Sequence, residues 1–366
     1  MTFERPKCAR ENDVTEIDEA RGGSVRERER PVTIKDVAAH LGVSYSAVSR
    51  ALSNHHHTSA ELKERVQRAV EQLGYEPHAG ARMMHQSSSR MIGLVIPDIT
   101  NQIFTASAAV IEEICRREGY QLILSVSGRD PTIEYEQLRL LRQSRVAGII
   151  IAPCGDSLPE THRLLGALPV VQLGRRNVEL AAPTVTVGDH KAAQAAVLHL
   201  TQLGHRRIAI IGGQLGLVNS KSRLDGARGG LAEAGVEIST SLVLTGPMTA
   251  EFGRAAMIRL WSGSEPPTAA LVLNSVQTLG VVEAIHQMRI DVPGRLSVVG
   301  FGDPEWFHLW GPGLTTVSLP VHDLAEAAAS LLMSQISQRG TKADPALEMS
   351  LDTSLIVRGS TAAPRS

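Results

Sequence analysis

The sequence predicts a small all-α helix-turn-helix head followed by an α/β body of two doubly wound parallel-sheet lobes. Three observations carry this prediction. Between residues 32 and 74, apolar side chains recur at helical spacing and are punctuated by glycines. From Met91 onward, short apolar runs alternate with amphipathic helical stretches, the pattern of parallel strands covered by helices. The length, 366 residues, is too great for one small domain and suits a head joined to a two-lobed body.

In the head, Ile34, Val37, Ala38 and Leu41 form one helical face. Thr33 stands where a side-chain oxygen caps the first backbone N–H groups, and Asp36 adds negative charge to the first turn. Gly42 ends that helix. Ser44 is the next cap candidate, and Val48 and Leu52 are the inward positions of a second helix. Tyr45, Ser46, Ser49 and Arg50 are thereby grouped on its outer edge, where an arginine can fork onto guanine and the others can reach base edges or phosphates. Thr58 and Glu61 have capping-box spacing for a third helix, with Leu62, Val66, Ala69, Val70 and Leu73 as its stripe and Gly74 as its end. Residues 31–76 are therefore read as a DNA-binding domain.

Charge does not announce nucleic acid globally, because the chain carries a net −1. From Pro31 to Arg90 there are seven basic against five acidic side chains, a net of +2, so attraction depends on local placement. Residues 1–30 alternate Arg with Glu, hold little apolar surface and read as a disordered tail. His55, His56 and His57 cannot share one helical face and lack a partner at metal-ligand spacing, so a phosphate-contacting loop including His57 is expected, and no metal. Residues 77–90 read as a linker, Gln86–Ser89 especially.

The body begins at residue 91. Its first set of strands is expected at Ile92–Pro97, Gln121–Ser125, Ala147–Ala152 and Pro169–Leu173; the second at Arg207–Gly212, Ala269–Leu273 and Leu296–Gly300. Helices are expected at Ile103–Gly119, Thr132–Arg145, His190–Leu203, Lys221–Gly235 and Val276–Met288. Ligands of open α/β sheets bind beyond the carboxyl ends of the strands. That rule directs Asp98, Asn101, Phe104, Pro153–Asp156 and Arg175 from one lobe, and Asp189, Arg223, Asn274 and the Gly302–Asp303 loop from the other, into one cleft. Trp306 and Trp310 fit either stacking on a sugar ring or packing.

Enzymatic signatures are missing. The run Ile210–Gly216 follows a strand but lacks GxGxxG spacing, and no Walker loop, HExxH or GxSxG occurs. Cys8, Cys115 and Cys154 are scattered, as inert thiols in a reducing compartment are. No apolar run reaches membrane-spanning length and no signal-like start is present, so a cytoplasmic protein without cofactor is expected.

The ordered set Thr33–Leu52, Gly74–Pro77, Ala81–Arg82, Ile92–Asp98, Leu203–Ala209, Ser297–Phe301 and Leu314–Val317 resembles the lactose/galactose repressor family of bacterial transcription regulators. The likeness runs from about residue 32 to 360. It implies a body of the type I periplasmic-binding-protein kind. The first lobe then spans 91–188 with about 319–345 returning to it, and the second 189–318 with about 346–360. It implies that the linker forms a hinge helix whose Ala81 and Met84 meet the operator's minor groove. Gly80 and His78 depart from the family's usual residues there, and glycine costs such a helix about 1 kcal/mol against alanine.

The same resemblance implies that Arg223 and Asn274 hydrogen-bond a sugar-like effector. Gly302, Ser275 and Gly188-Asp189 replace acidic or amide residues common in relatives. With Arg175, Arg176, Lys221 and Arg223 nearby, this loss of acids suits an anionic effector such as a sugar acid. The expected function is a repressor that binds a near-palindromic operator as a homodimer and whose effector changes the angle between lobes. The alternatives are an effector-dependent activator and a sugar-binding protein that does not touch DNA. No terminal heptad repeat follows Gly359, which favours a dimer over a coiled-coil tetramer.

Overall fold

Thr33, Ser44 and Ser59 precede the three helices of the head in a computed structural model that describes residues 32–52, 58–75, 90–338 and 344–365. Helix α1 spans Ile34–Leu41, α2 Tyr45–Leu52 and α3 Ala60–Leu73. At α1 Thr33 and Asp36 form a capping box, in which the Asp36 carboxylate accepts the Thr33 backbone N–H at 2.8 Å and the Thr33 hydroxyl at 2.7 Å. At α2 the Ser44 Oγ accepts the Ala47 N–H at 3.2 Å. The α3 cap is Ser59 and not the expected Thr58. Ser59 holds the extended backbone a cap requires, and its Oγ accepts the Leu62 N–H at 3.3 Å. Gly42 and Gly74 close α1 and α3 in the left-handed region, at φ 66° and 60°. Val37, Val48, Val66, Ala69 and Tyr75 meet in the core of this unit. The expectations placed on residues 1–30, His55–His57, Ala81 and Met84 lie outside the described residues.

The body is a separate unit and is built twice over. Its first lobe opens with β1 (Met91–Ile96), α4 (Gln102–Arg117), β2 (Gln121–Val126), α5 (Pro131–Gln143), β3 (Gly148–Ile151), α6 (Pro159–Leu165), β4 (Val170–Leu173) and β5 (Thr184–Val187). The second holds α7 (Asp189–Gln202), β6 (Ile208–Gly212), α8 (Val218–Glu233), β7 (Val243–Thr245), α9 (Ala250–Trp261), β8 (Ala269–Val272), α10 (Ser275–Gln287), β9 (Ser297–Phe301), α11 (Trp306–Leu309) and β10 (Thr315–Ser318). Helix α12 (Val321–Ser337) returns to the first lobe, where Leu324, Ala328 and Leu332 join its core.

The strand orders match. One sheet runs β2-β1-β3-β4-β5 and then β11 (Glu348–Leu351); the other runs β7-β6-β8-β9-β10 and then β12 (Ser354–Ile356). All pairings are parallel except β10 with β12. The expected boundary near residue 346 is thus corrected: Glu348 pairs with Thr184 in the first sheet, and the chain reaches the second only at Ser354. Both faces of each sheet are covered, which explains the unbroken apolar runs: Gly148–Ile151 is buried throughout. A fully buried isoleucine or leucine in such a run contributes about 1.5–3 kcal/mol. Every strand and helix expected in the body is present, its ends shifted by up to three residues. Among the described residues no helix is long and apolar enough to cross a membrane.

Candidate functional site

On the head, α2 turns Val48 and Ala51 inward and leaves Tyr45 52% exposed, with Ser46 and Arg50 also exposed and Ser49 half-buried. The edge read from spacing is therefore the edge presented to solvent. The Arg50 Nε donates to the Ser46 carbonyl at 3.2 Å, which holds the guanidinium along the helix. Ser44 and Ser46 hydroxyls lie 3.0 Å apart. Thr33, expected with this group, commits its hydroxyl to Asp36.

In the body, chain order reverses beside β1 in one sheet and beside β6 in the other, so the loops after β1, β3, β6 and β8 open toward one inter-lobe cleft. Two spaces that share the Arg175 side chain as wall occupy it. The outer one, about 460 Å³, is lined by Arg129, Gly155, Asp156, Arg175, Gln214 and Gly216. The inner one, about 40 Å³, is lined by Asn101, Phe104, Arg175, Asn219, Arg223, Met248 and Asn274 among others. Arg175 belongs to both. The Gly155 backbone lies so close to the Gly216 carbonyl that an added Cβ would stand 2.5 Å from it. Across the same mouth the Arg129 guanidinium donates to Asp98 at 2.8 Å and to the Met248 carbonyl of the other lobe at 3.3 Å. Burial alone would raise the Asp98 carboxyl. Hydrogen bonds from Thr100 and the charge of Arg129 outweigh it and hold Asp98 below its ordinary value.

The polar groups of the cleft are satisfied unevenly. Arg223 donates to Asp189 at 2.6 Å and to the Leu273 carbonyl at 2.8 Å, and lies 3.9 Å over the Phe301 ring. Burial raises the Asp189 pKa against the pull of that guanidinium. Asn274 uses its Oδ1 to cap α10 through Val276 and Gln277, leaving Nδ2 on the Met248 sulfur at 3.5 Å. Asn101 caps α4 likewise. Arg175 is 5% exposed and lies 5.5 Å over Phe104, yet makes no hydrogen bond or ion pair with any described residue. Burial, with Arg129 and Arg223 at longer range, lowers it to about 10, so it stays cationic at neutral pH.

Other expected residues are placed as follows. Asp303 lines a further space of about 610 Å³ with Gln102, Ile103, Ser275 and Ser318, and Arg358 grips both its oxygens at 2.8 Å. Arg176 points to the surface and pairs with Glu348 at 2.6 Å, and Lys221 is exposed, so neither adds charge to the cleft. Trp306 and Trp310 pack against the second lobe's core, Trp306 edge-on to Phe307 at 4.5 Å. Cys115 and Cys154 are free and buried, and burial pushes the Cys154 thiol up to about 12. Arg129, Asn219 and Met248 went unread in the sequence. The Gln214–Gly216 loop, first weighed as a nucleotide motif, supplies the second lobe's part of the outer wall.

Comparison with known proteins agrees in both units. Residues 33–78 match the bacterial regulatory proteins of the lacI family, and residues 197–361 match the periplasmic binding protein-like domain. The HTH-type transcriptional repressor CytR of Escherichia coli strain K12 is 30% identical over 342 residues, covering 92% of this chain and 98% of that protein. The HTH-type transcriptional repressor PurR of Haemophilus influenzae strain PittEE is 29% identical over 330 residues, covering 90% and 98%. Among solved structures, the lac repressor dimer bound to operator and the anti-inducer ONPF is 26% identical, with a TM-score of 0.77 over 91% of this chain and 100% of that one.

Proposed function

Because the chain belongs to the lacI family, DNA-binding transcriptional repressors with an effector-binding domain, we propose that it grips a near-palindromic operator as a homodimer under control of a small, sugar-like effector. The head is residues 31–76, the operator-contacting hinge 77–90, and the effector lies in the cleft between the lobes. Arg50, Tyr45, Ser46 and Ser49 read or touch the major groove, Ser44 and Thr33 fix the entry of the helices, and His57 meets phosphate. Ala81 and Met84 enter the minor groove. Asn101, Phe104, Arg175, Arg223 and Asn274 receive the effector, Asp189 orients Arg223, and Asp98 secures Arg129.

One observation carries the reading. A single chain joins a helix with an exposed polar edge to a body whose two lobes meet around a polar cavity and are bridged by Arg129 and Met248. An effector that alters this bridge binds the two lobe arrangements unequally, and only such inequality couples it to DNA, typically by about 1–3 kcal/mol. The dimeric lac repressor on its operator supports the two-fold arrangement.

Gel-shift titration of upstream DNA over a range of salt tests this. Wild-type chain retains a sequence preference as salt rises, and Arg50→Ala loses about 1–3 kcal/mol of it at one position of each half-site. Arg223→Gln keeps effector-free operator binding but loses the effector's influence. An Arg50→Ala protein with undiminished operator selectivity removes that side chain from base reading.

A further inference from the structure

We infer that the effector of this chain is a hydroxylated anion, whose carboxylate or phosphate docks on Arg175, which lines both spaces of the cleft, while a hydroxyl donates to Asn219 on the wall of the inner one. The inference rests on the cleft being the effector site and adds what chemistry that site selects.

Two orphaned groups face the same cavity from opposite lobes. Arg175 offers up to five N–H donors from a planar fork, is 95% removed from solvent and has no acceptor among the described residues. Asn219 presents a buried Oδ1 with no donor. Unpaired buried charge is costly, and unsatisfied buried polar atoms are rare enough in native proteins that each requires a reason. The Phe104 ring offsets only part of the cost, since it supplies no hydrogen-bond acceptor.

The other charges of the site do not answer Arg175. Asp98 is committed to Arg129, whose own Nε is buried without a partner, and Asp189 is committed to Arg223. Glu134 is fully buried within electrostatic reach of Arg175 and its charge favours the cation, but its oxygens accept the Cys154 N–H at 2.7 Å and the Ser157 hydroxyl at 2.5 Å, and neither bonds the guanidinium. Asp156 is exposed on the outer wall. The guanidinium fork matches a carboxylate or phosphate in two parallel hydrogen bonds. A lone hydroxyl answers one donor and none of the charge.

Size fixes the orientation. The inner space, about 40 Å³, accepts a small polar end but no sugar ring. The outer one, about 460 Å³, accepts the ring or chain. Arg175 lines both.

The test compares full-length wild type, Arg175→Met, Arg175→Lys, Asn219→Leu and Arg223→Gln at constant ionic strength. Inorganic phosphate, D-gluconate and D-glucose serve as probes in thermal-shift and calorimetric titrations. Ligand-free Arg175→Met melts about 2–4 °C higher than wild type, because removing an unanswered buried charge relieves the fold; a lower melting temperature makes Arg175 a structural residue and overturns the inference. Phosphate stabilises wild type and Arg175→Lys saturably, and Arg175→Met not at all. Gluconate binds wild type roughly 10- to 100-fold more tightly than glucose, a margin that Arg175→Met abolishes and Asn219→Leu reduces. Equal responses of wild type and Arg175→Met to every anion overturn the inference. So does glucose binding at least as tightly as gluconate; if Arg223→Gln weakens that glucose binding, the cleft remains the effector site and only the anion is lost. Ligand binding indifferent to both Arg175→Met and Arg223→Gln removes the cleft itself.

Discussion

The two walls of the cleft use the same device and finish it differently. Each sets an arginine over a phenylalanine: Arg175 over Phe104 in the first lobe, Arg223 over Phe301 in the second. The second wall answers its arginine without a ligand, since Asp189 and the Leu273 carbonyl accept from Arg223 at 2.6 and 2.8 Å. The first wall leaves Arg175 open. Glycines under close contact repeat the contrast, on helices in the second lobe and on strands in the first. In the second lobe α7 meets α8, and α9 meets α10, at glycines: Gly226 lies on the His190 carbonyl and Gly280 on that of Ala250. In the first lobe Gly93 and Gly148 face the ends of leucine side chains instead. One lobe answers its cleft arginine with its own groups, and the other does not.

The strongest way to break this comparison is to unfinish the completed wall. Asp189→Ala leaves Arg223 buried and unanswered, and should cost about 3–5 kcal/mol in chemical denaturation of the full chain. The matching loss at Arg175 has the opposite sign. If Asp189→Ala unfolds at the wild-type midpoint, the ion pair is not what completes the second wall, and the contrast between the lobes fails.

That contrast was only half legible in the sequence. Local chemistry was readable: Gly42 and Gly74 end their helices where expected, and the buried run Gly148–Ile151 could only be an interior strand. Short edge strands such as Val243–Thr245 and Glu348–Leu351 were missed, because their pairing comes from neighbours far along the chain and they bury too little to show an apolar pattern. The cleft divided in the same way. Arg223 and Asn274 were found because they stand at the strand ends that the fold directs inward. Arg129 was not, since its role depends on a left-handed turn, φ 63°, that aims it at Met248, 119 residues away. The pairing of Asp303 was not legible because its partner, Arg358, lies 55 residues on.

Helix packing offers the next test. A Cβ on Gly280 would collide with the Ala250 carbonyl and crowd the Arg254 backbone nitrogen, neither of which can rotate away. Gly280→Ala should therefore cost about 1–3 kcal/mol. Gly93→Ala in the first lobe meets side chains alone, the end of Leu141 at 2.8 Å and Ile149 at 3.4 Å, and should cost less. Equal losses would show that the second lobe yields as readily as the first.

The smallest effect sharpens the comparison by pH. His205, the one fully buried histidine among the described residues, ties the second lobe's base to the C-terminal segment. Its Nε2 lies 2.9 Å from the Ala362 carbonyl and 3.0 Å from the Ser297 hydroxyl, and its Nδ1 lies 2.9 Å from the Thr268 hydroxyl. A carbonyl only accepts, so Nε2 carries the hydrogen and the neutral ring fills the site. Burial is the main cause of a pKa below the usual 6.5. The Ala362 carbonyl opposes it, and His199, itself lowered by burial, adds to it. The folded chain then binds fewer protons than the unfolded chain as acid is added. Stability from this contact is complete above pH 6.5 and declines as pH falls through 6.5 toward the folded value. Hydrogen exchange by mass spectrometry at pH 7.5 and 5.5, corrected for intrinsic rates, should show protection falling in β8 and β9 and holding in β1 and β3. His205→Gln should flatten that difference, because an amide keeps donor and acceptor without titrating. A fall spread evenly over both sheets would mean that the lobes share one acid response, and that His205 is not its source.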